Sequence, residues 1–116
     1  MKKIYYLSSC GTCKRIIKEL ELPEDFDMQD IKNEPVTVEQ LEKLKSQAGS
    51  YEALFSRRAR LYKEQNLKDK NLDEEAIKEL ILSHYTFLKR PVILCNERIF
   101  IGNTKKTIAA AKEVIQ

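Results

Sequence analysis

Cys10 and Cys13, separated by Gly11 and Thr12, stand where a strand-forming run ends and a helical pattern begins. Nothing else in the chain restricts its fold so much. Residues 3–7 (Lys-Ile-Tyr-Tyr-Leu) are rich in strand formers, and Ser8, Ser9 and Gly11 then break the run. From about Thr12 the apolar residues Ile16, Ile17 and Leu20 recur at helical spacing, with Cys13 on the same face, until Pro23 closes the helix. Phe26-Asp27-Met28-Gln29-Asp30-Ile31 alternates apolar and polar, the pattern of a half-buried strand. The chain therefore opens with a β-α-β unit whose first turn carries the cysteine pair.

A helical stretch follows. Asn33-Glu34-Pro35 reads as a turn, and Thr37 with Gln40 three residues on has the form of a capping box. Leu41 and Leu44 continue one face, and Ala48-Gly49-Ser50 stops it. Tyr51, Leu54 and Phe55 mark a second short helix, and Leu61 with Tyr62 another turn. Asp73 can cap a further helix whose apolar face is Ile77, Leu80, Ile81 and His84. Then strands return: Pro91-Val92-Ile93-Leu94-Cys95, a tight Asn96-Glu97 turn, and Arg98-Ile99-Phe100-Ile101 closed by Gly102-Asn103. Thr104 precedes a last helix carrying Ile108, Ala109, Ala111, Val114 and Ile115. The order β-α-β-(helices)-β-β-α is that of an α/β protein of thioredoxin (glutaredoxin-like) type, built on a mixed sheet with its middle expanded.

At 116 residues, 42% of them hydrophobic, the chain suits one compact domain. Its expected parts are a sheet core from residues 1–35 and 89–116 and a helical insert over 36–88. No apolar run is long enough to cross a bilayer, and the apolar stretch after Lys2-Lys3 is too short for a secretory signal. The expected location is the cytoplasm. A net charge of +3, from 21 basic and 18 acidic side chains, is too diffuse to suggest direct DNA binding.

Three cysteines, Cys10, Cys13 and Cys95, do not make a disulfide framework in a reducing compartment. A close pair and a distant single point to one reactive pair and one core cysteine. Half of a zinc site is an alternative, but no second Cys-x-x-Cys or His pair accompanies it, and only Cys95 and the lone His84 could complete it. Two merely structural cysteines are another. The helix start favours chemistry: its first N–H groups are unpaired and its dipole is positive there, so a thiolate is stabilised. Lys14 and Arg15 would add to the field. Cys10, outermost, is the expected nucleophile, and Cys13, a turn later, is placed to resolve a mixed disulfide. The same position suits an oxyanion.

Cys10-Gly-Thr-Cys13-Lys14-Arg15 resembles the active-site motif of the glutaredoxin-linked arsenate reductases (ArsC) and the Cys-x-x-Cys of the Spx regulators, which share that fold. The likeness spans nearly the whole chain. It includes Ala53-Leu54-Phe55, Tyr62-Lys63-Glu64, Ile81-Leu82-Ser83-His84 and Leu88-Lys89-Arg90-Pro91-Val92-Ile93. The resemblance implies that Arg90 holds an oxyanion or carboxylate and that Pro91 is a cis-proline facing the cysteine loop. Ser56 stands where the reductases carry an arginine, while Arg57 and Arg58 follow it, Arg58 matching an arginine of the Spx-like relatives. Ile101 replaces a further arginine and Tyr6 an upstream histidine, whereas Cys13 is a cysteine that the reductases lack. These departures shift the expectation from arsenate towards disulfide exchange.

The expected activity is that of a thiol-dependent reductase. Cys10 and Cys13 react, and Arg90, Arg58, Arg57, Thr12 and Pro91 form the substrate- or anion-binding set. Thr12 caps the helix or bonds the Cys10 thiolate, with capping the expected role. No metal or resident cofactor is expected. The reductant would be an external thiol: thioredoxin, glutaredoxin or a low-molecular-weight thiol. The alternative is an Spx-like redox regulator that binds RNA polymerase. His84 reads as a core or capping residue and Cys95 as an inert apolar one.

Overall fold

The computed structural model describes residues 2–116; Met1, the first residue of the expected sheet core, lies outside the described residues. The chain divides into two compact units. One comprises the chain up to Glu34 together with Arg90–Gln116, and the other is Pro35–Lys89.

The first unit is a mixed sheet with two helices. Its elements are β1 (Lys2–Tyr6), α1 (Gly11–Leu20), β2 (Asp27–Asp30), β3 (Val92–Cys95), β4 (Arg98–Ile101) and α5 (Lys105–Ile115). The described strands lie in the order β2-β1-β3-β4, with β1 parallel to β2 and antiparallel to β3, and β3 antiparallel to β4. The parallel pair requires a crossover, and α1 supplies it. Ile4, Ile93 and Phe100 are paired across β1, β3 and β4 and form one row of the core. Ile16 and Leu20 of α1, and Ile108 and Ala111 of α5, close over that row. All four residues of β3 are buried, as a central strand of branched and apolar residues allows.

Local chemistry sets the element ends. Helix α1 stops at Leu20, short of Pro23, with Glu21 in the left-handed conformation at φ 50°. The residue before a proline resists helical geometry, so the chain leaves the helix early. Thr104 caps α5 by accepting a bond from the Thr107 N–H at 3.2 Å. Strand β2 departs from the expected alternation. Met28 is 44% exposed, whereas Gln29 is buried at 2%. Successive side chains of a strand point to opposite faces, and the covered face of β2 is the one that carries Gln29, which leaves Met28 in solvent. Gln29 tolerates burial because its amide nitrogen donates to the Glu34 carbonyl at 2.9 Å.

The second unit contains α2 (Val38–Ala48), α3 (Arg60–Glu64), α4 (Glu74–Ser83) and 3₁₀ turns at Glu52–Leu54, Leu67–Asp69 and Tyr85–Phe87. The capping box of Thr37 and Gln40 is present in both directions, and Gly49 ends α2 at φ 96°. Asp73 caps α4 by accepting from the Ala76 N–H at 2.8 Å. Phe55 stacks on Phe87 at 5.7 Å and meets Tyr62 edge-on at 5.9 Å. The unit is not wholly helical. Phe55 and Leu88 form an antiparallel bridge, flanked by bonds from the Ser56 N–H to the Phe87 carbonyl and from the Lys89 N–H to the Leu54 carbonyl. His84 is not on the face of α4, which ends at Ser83. It is extended, accepts the Thr86 N–H at Nδ1 (3.0 Å) and stacks on Tyr85, so it caps the following turn.

Candidate active site

The cysteine pair lies where β1 gives way to α1. After Leu7 the chain turns through Ser8 and Ser9, closed by a bond from the Cys10 N–H to the Leu7 carbonyl at 3.0 Å. Cys10 is the N-cap of α1, in an extended conformation, and its carbonyl takes the first helical bond from the Lys14 N–H. Cys10 is partly exposed, and Cys13 is buried at 1%. Both are free thiols.

The two sulfurs have opposite electrostatics. Burial pushes the Cys10 thiol up, but the Cys13 N–H, the Cys13 thiol, the Thr12 N–H and the Arg90 guanidinium together outweigh it, and its pKa is lowered. Cys13 is pushed up to about 11, first by burial and then by the negative charge of Cys10; the Leu7 backbone and Arg90 act the other way. The geometry favours one thiolate beside one thiol.

Arg90 is half-buried and is separated from β3 by Pro91 alone, and the Arg90–Pro91 peptide is cis. The Pro91 carbonyl accepts from the Gly102 N–H at 3.0 Å. The sheet unit thus brings together Cys10, Thr12, Cys13 and Arg90, and Pro91 follows Arg90 through the cis bond. Thr12 does not cap α1, because Cys10 already holds the cap position; Thr12 reaches the sulfur through its backbone N–H. Lys14 and Arg15 are exposed, and the cation that acts on Cys10 is Arg90. Arg57 and Arg58 belong to the helical unit, on an exposed turn. There Arg57 pairs with Glu52 at 3.3 Å and lies over the Phe55 ring. Cys95 is buried in β3 among the core residues.

Sequence reasoning missed Asp30. It ends β2 beside Tyr6, the last residue of β1, and accepts bonds from Ser8 in the cysteine loop. A usable signal existed: a β-α-β unit puts the ends of its parallel strands side by side, so a carboxylate closing β2 lies next to the loop leaving β1.

Among the described residues no three or more His, Cys, Asp or Glu side chains are grouped to hold a metal ion. No helix among them is long and apolar enough to cross a membrane.

The sequence pattern of the ArsC family matches residues 5–111, from β1 well into α5. The chain belongs to the ArsC family. It is similar to an arsenate reductase of Neisseria meningitidis serogroup B, with 29% identity over 105 residues, 90% of this chain and 80% of that protein. It is also similar to the global transcriptional regulator Spx 2 of Bacillus anthracis, with 27% identity over 105 residues, 88% of this chain and 79% of that protein. Among solved structures, the YffB protein superposes with a TM-score of 0.80 at 21% identity and full coverage of both chains. That superposition establishes this ArsC-family protein's α/β, thioredoxin-like fold.

Proposed function

We propose that this ArsC-family protein is a thiol-dependent reductase that uses Cys10 and Cys13 for thiol–disulfide exchange. The observation that carries the reading is the lowered Cys10 thiol at the start of α1, next to a Cys13 that stays protonated at neutral pH. The Cys10 thiolate attacks one sulfur of a substrate disulfide, forming a mixed disulfide and expelling the other sulfur as a thiolate. Cys13 then gives up its proton and attacks the Cys10 sulfur, releasing the second substrate thiolate. Two electrons pass from the cysteine pair to the substrate, and the protein is left as the Cys10–Cys13 disulfide. An external thiol in a reducing cytoplasm, either a thioredoxin- or glutaredoxin-like protein or a small thiol, restores the pair.

Arg90 stabilises the attacking thiolate and orients an anionic group of the substrate, with the Thr12 N–H and Pro91 shaping the approach. Arg58 and Arg57 are the remaining candidates for anion binding. Arsenate is the less favoured substrate. Ser56, Ile101 and Tyr6 take the places of side chains that complete the oxyanion clamp in the reductases this sequence resembles, and Cys13 suits disulfide chemistry instead.

The similarity to Spx 2 supports a second reading. In it the pair is a redox switch, and the oxidised protein binds RNA polymerase.

The deciding experiment offers arsenate, a mixed glutathione disulfide and insulin to the wild type, Cys10→Ser and Cys13→Ser. Disulfide reduction by the wild type, abolished in Cys10→Ser, is expected. Equal rates in wild type and Cys10→Ser would remove Cys10 from the role. No turnover at all, with RNA polymerase recovered only by the oxidised protein, would favour the regulator.

A further inference from the structure

Asp30 gathers more hydrogen bonds than its place at a strand end requires. One carboxylate oxygen accepts from the Ser8 hydroxyl at 2.6 Å and from the Asn33 amide at 2.8 Å. The other accepts from the backbone N–H of Lys32 at 3.2 Å and of Ser8 at 3.3 Å. The Asp30 carbonyl accepts from the N–H groups of Asn33 and Glu34, and the Ile31 N–H donates to the Tyr6 carbonyl. The residue is therefore fixed on both sides before it grips Ser8.

Ser8 is the first of the two central residues of the turn that ends at Cys10. A turn of this kind has few other constraints, since Ser9 is exposed and the strand has already ended. A short hydroxyl-to-carboxylate bond is among the stronger hydrogen bonds available. It also spans 22 residues, so it ties the loop to the sheet and not merely to itself.

We propose that Asp30 is a positioning residue of the cysteine site: by holding Ser8 it sets where the chain delivers Cys10 to the start of α1. The inference rests on Cys10 being the nucleophile. Amide N–H groups stabilise a thiolate only if they point at it, and the aim of the Thr12 and Cys13 amides depends on where Cys10 enters the helix. Asp30 acts through this geometry, not through its charge, because the charged side chain that moves Cys10 is Arg90. Its own charge is taken up by four donors. Those bonds, the Ser8 hydroxyl first, hold its carboxyl below the ordinary range despite the opposing effect of burial, so it is ionised at neutral pH.

The test is the pH dependence of Cys10 alkylation by iodoacetamide, mapped by mass spectrometry on the reduced full-length protein. Asp30→Ala and Ser8→Ala should displace the profile to higher pH and slow Cys10 alkylation near neutrality by about three- to tenfold, since each pKa unit is about tenfold in thiolate. Ser8→Thr keeps the hydroxyl and should keep the wild-type profile. A purely structural Asp30 would lower the melting temperature and leave the profile of the folded fraction in place. That result, in either Asp30→Ala or Ser8→Ala, overturns the proposal. If wild-type Cys10 itself reacts no faster than free cysteine, the nucleophile assignment fails and takes this inference with it, a failure visible before any variant is made.

Discussion

Cys10 and Cys13, one helical turn apart, sit on opposite sides of the ordinary thiol pKa: Cys10 is held below it and Cys13 is pushed up to about 11. Position on the helix separates them. Cys10 is the N-cap and meets free amides, whereas Cys13 is inside the first turn, buried, and faces the charge of its neighbour. Near neutral pH, iodoacetamide should therefore modify Cys10 well before Cys13. Arg90→Ala removes the guanidinium that lowers the pKa of both thiols and should slow Cys10 alkylation severalfold. Equal labelling of the two cysteines at neutral pH would contradict the assignment.

The same arrangement sets the alkaline limit of stability. An unfolded cysteine ionises near pH ~8.5, whereas folded Cys13 keeps its proton to about 11. The stabilisation from keeping it neutral is fully present below the unfolded value and is lost as pH rises through the folded one. Cys10, with its lowered pKa, contributes in the opposite sense, and that contribution is already complete above the unfolded value. Tyr5, pushed to about 12 by burial and then by Asp27, adds to the alkaline loss. The free energy of urea unfolding under reducing conditions should fall between about pH 8 and pH 10.5, by about 2 kcal/mol for Cys13 alone. Cys13→Ala should show a shallower fall, and an unchanged slope would refute the assignment.

In the helical unit a single carboxylate joins two segments. Glu74, in the first turn of α4, accepts from the N–H groups of Tyr51 at 2.7 Å and Glu52 at 3.1 Å, where the Glu52–Leu54 turn begins. Glu74→Ala leaves both donors without their acceptor and should cost about 1–2 kcal/mol in urea unfolding. The neighbouring, exposed Glu75→Ala should cost less than about 0.5 kcal/mol. Comparable losses would mean that the two bonds contribute nothing beyond helix charge.

Features decided within a few residues were legible in the sequence. The Thr37–Gln40 box, the Asp73 cap and the Gly49 stop each depend on local backbone chemistry, and each is found where the pattern puts it. The cysteine pair was legible for the same reason, because a strand followed by a helix defines the amide-rich position. Arg90 was legible only through the family pattern, since nothing local links it to a loop so far along the chain. What escaped depends on pairing between distant segments. Met28 and Gln29 exchange expected places because which face of β2 is covered depends on what packs against it, and that is not written in its own residues. The Phe55–Leu88 bridge and the Asp30–Ser8 bond require chain segments to be brought together first.

The division of labour between the cysteines predicts what accumulates when the second is removed. In the free protein, Cys13 is kept protonated partly by the negative charge on Cys10. Forming a mixed disulfide at Cys10 removes that charge, so the resolving thiol becomes easier to ionise only after substrate is captured. With excess glutathione disulfide, the wild type should pass quickly to an intramolecular disulfide with no glutathione attached. Cys13→Ser should stop at one glutathione on Cys10, a species that intact-mass measurement separates from the wild-type product. Cys10→Ser should take up glutathione far more slowly, since the two remaining thiols, Cys13 and Cys95, are both buried. If the wild type also accumulates the glutathione adduct, Cys13 does not resolve it, and the site works with one cysteine and an external thiol.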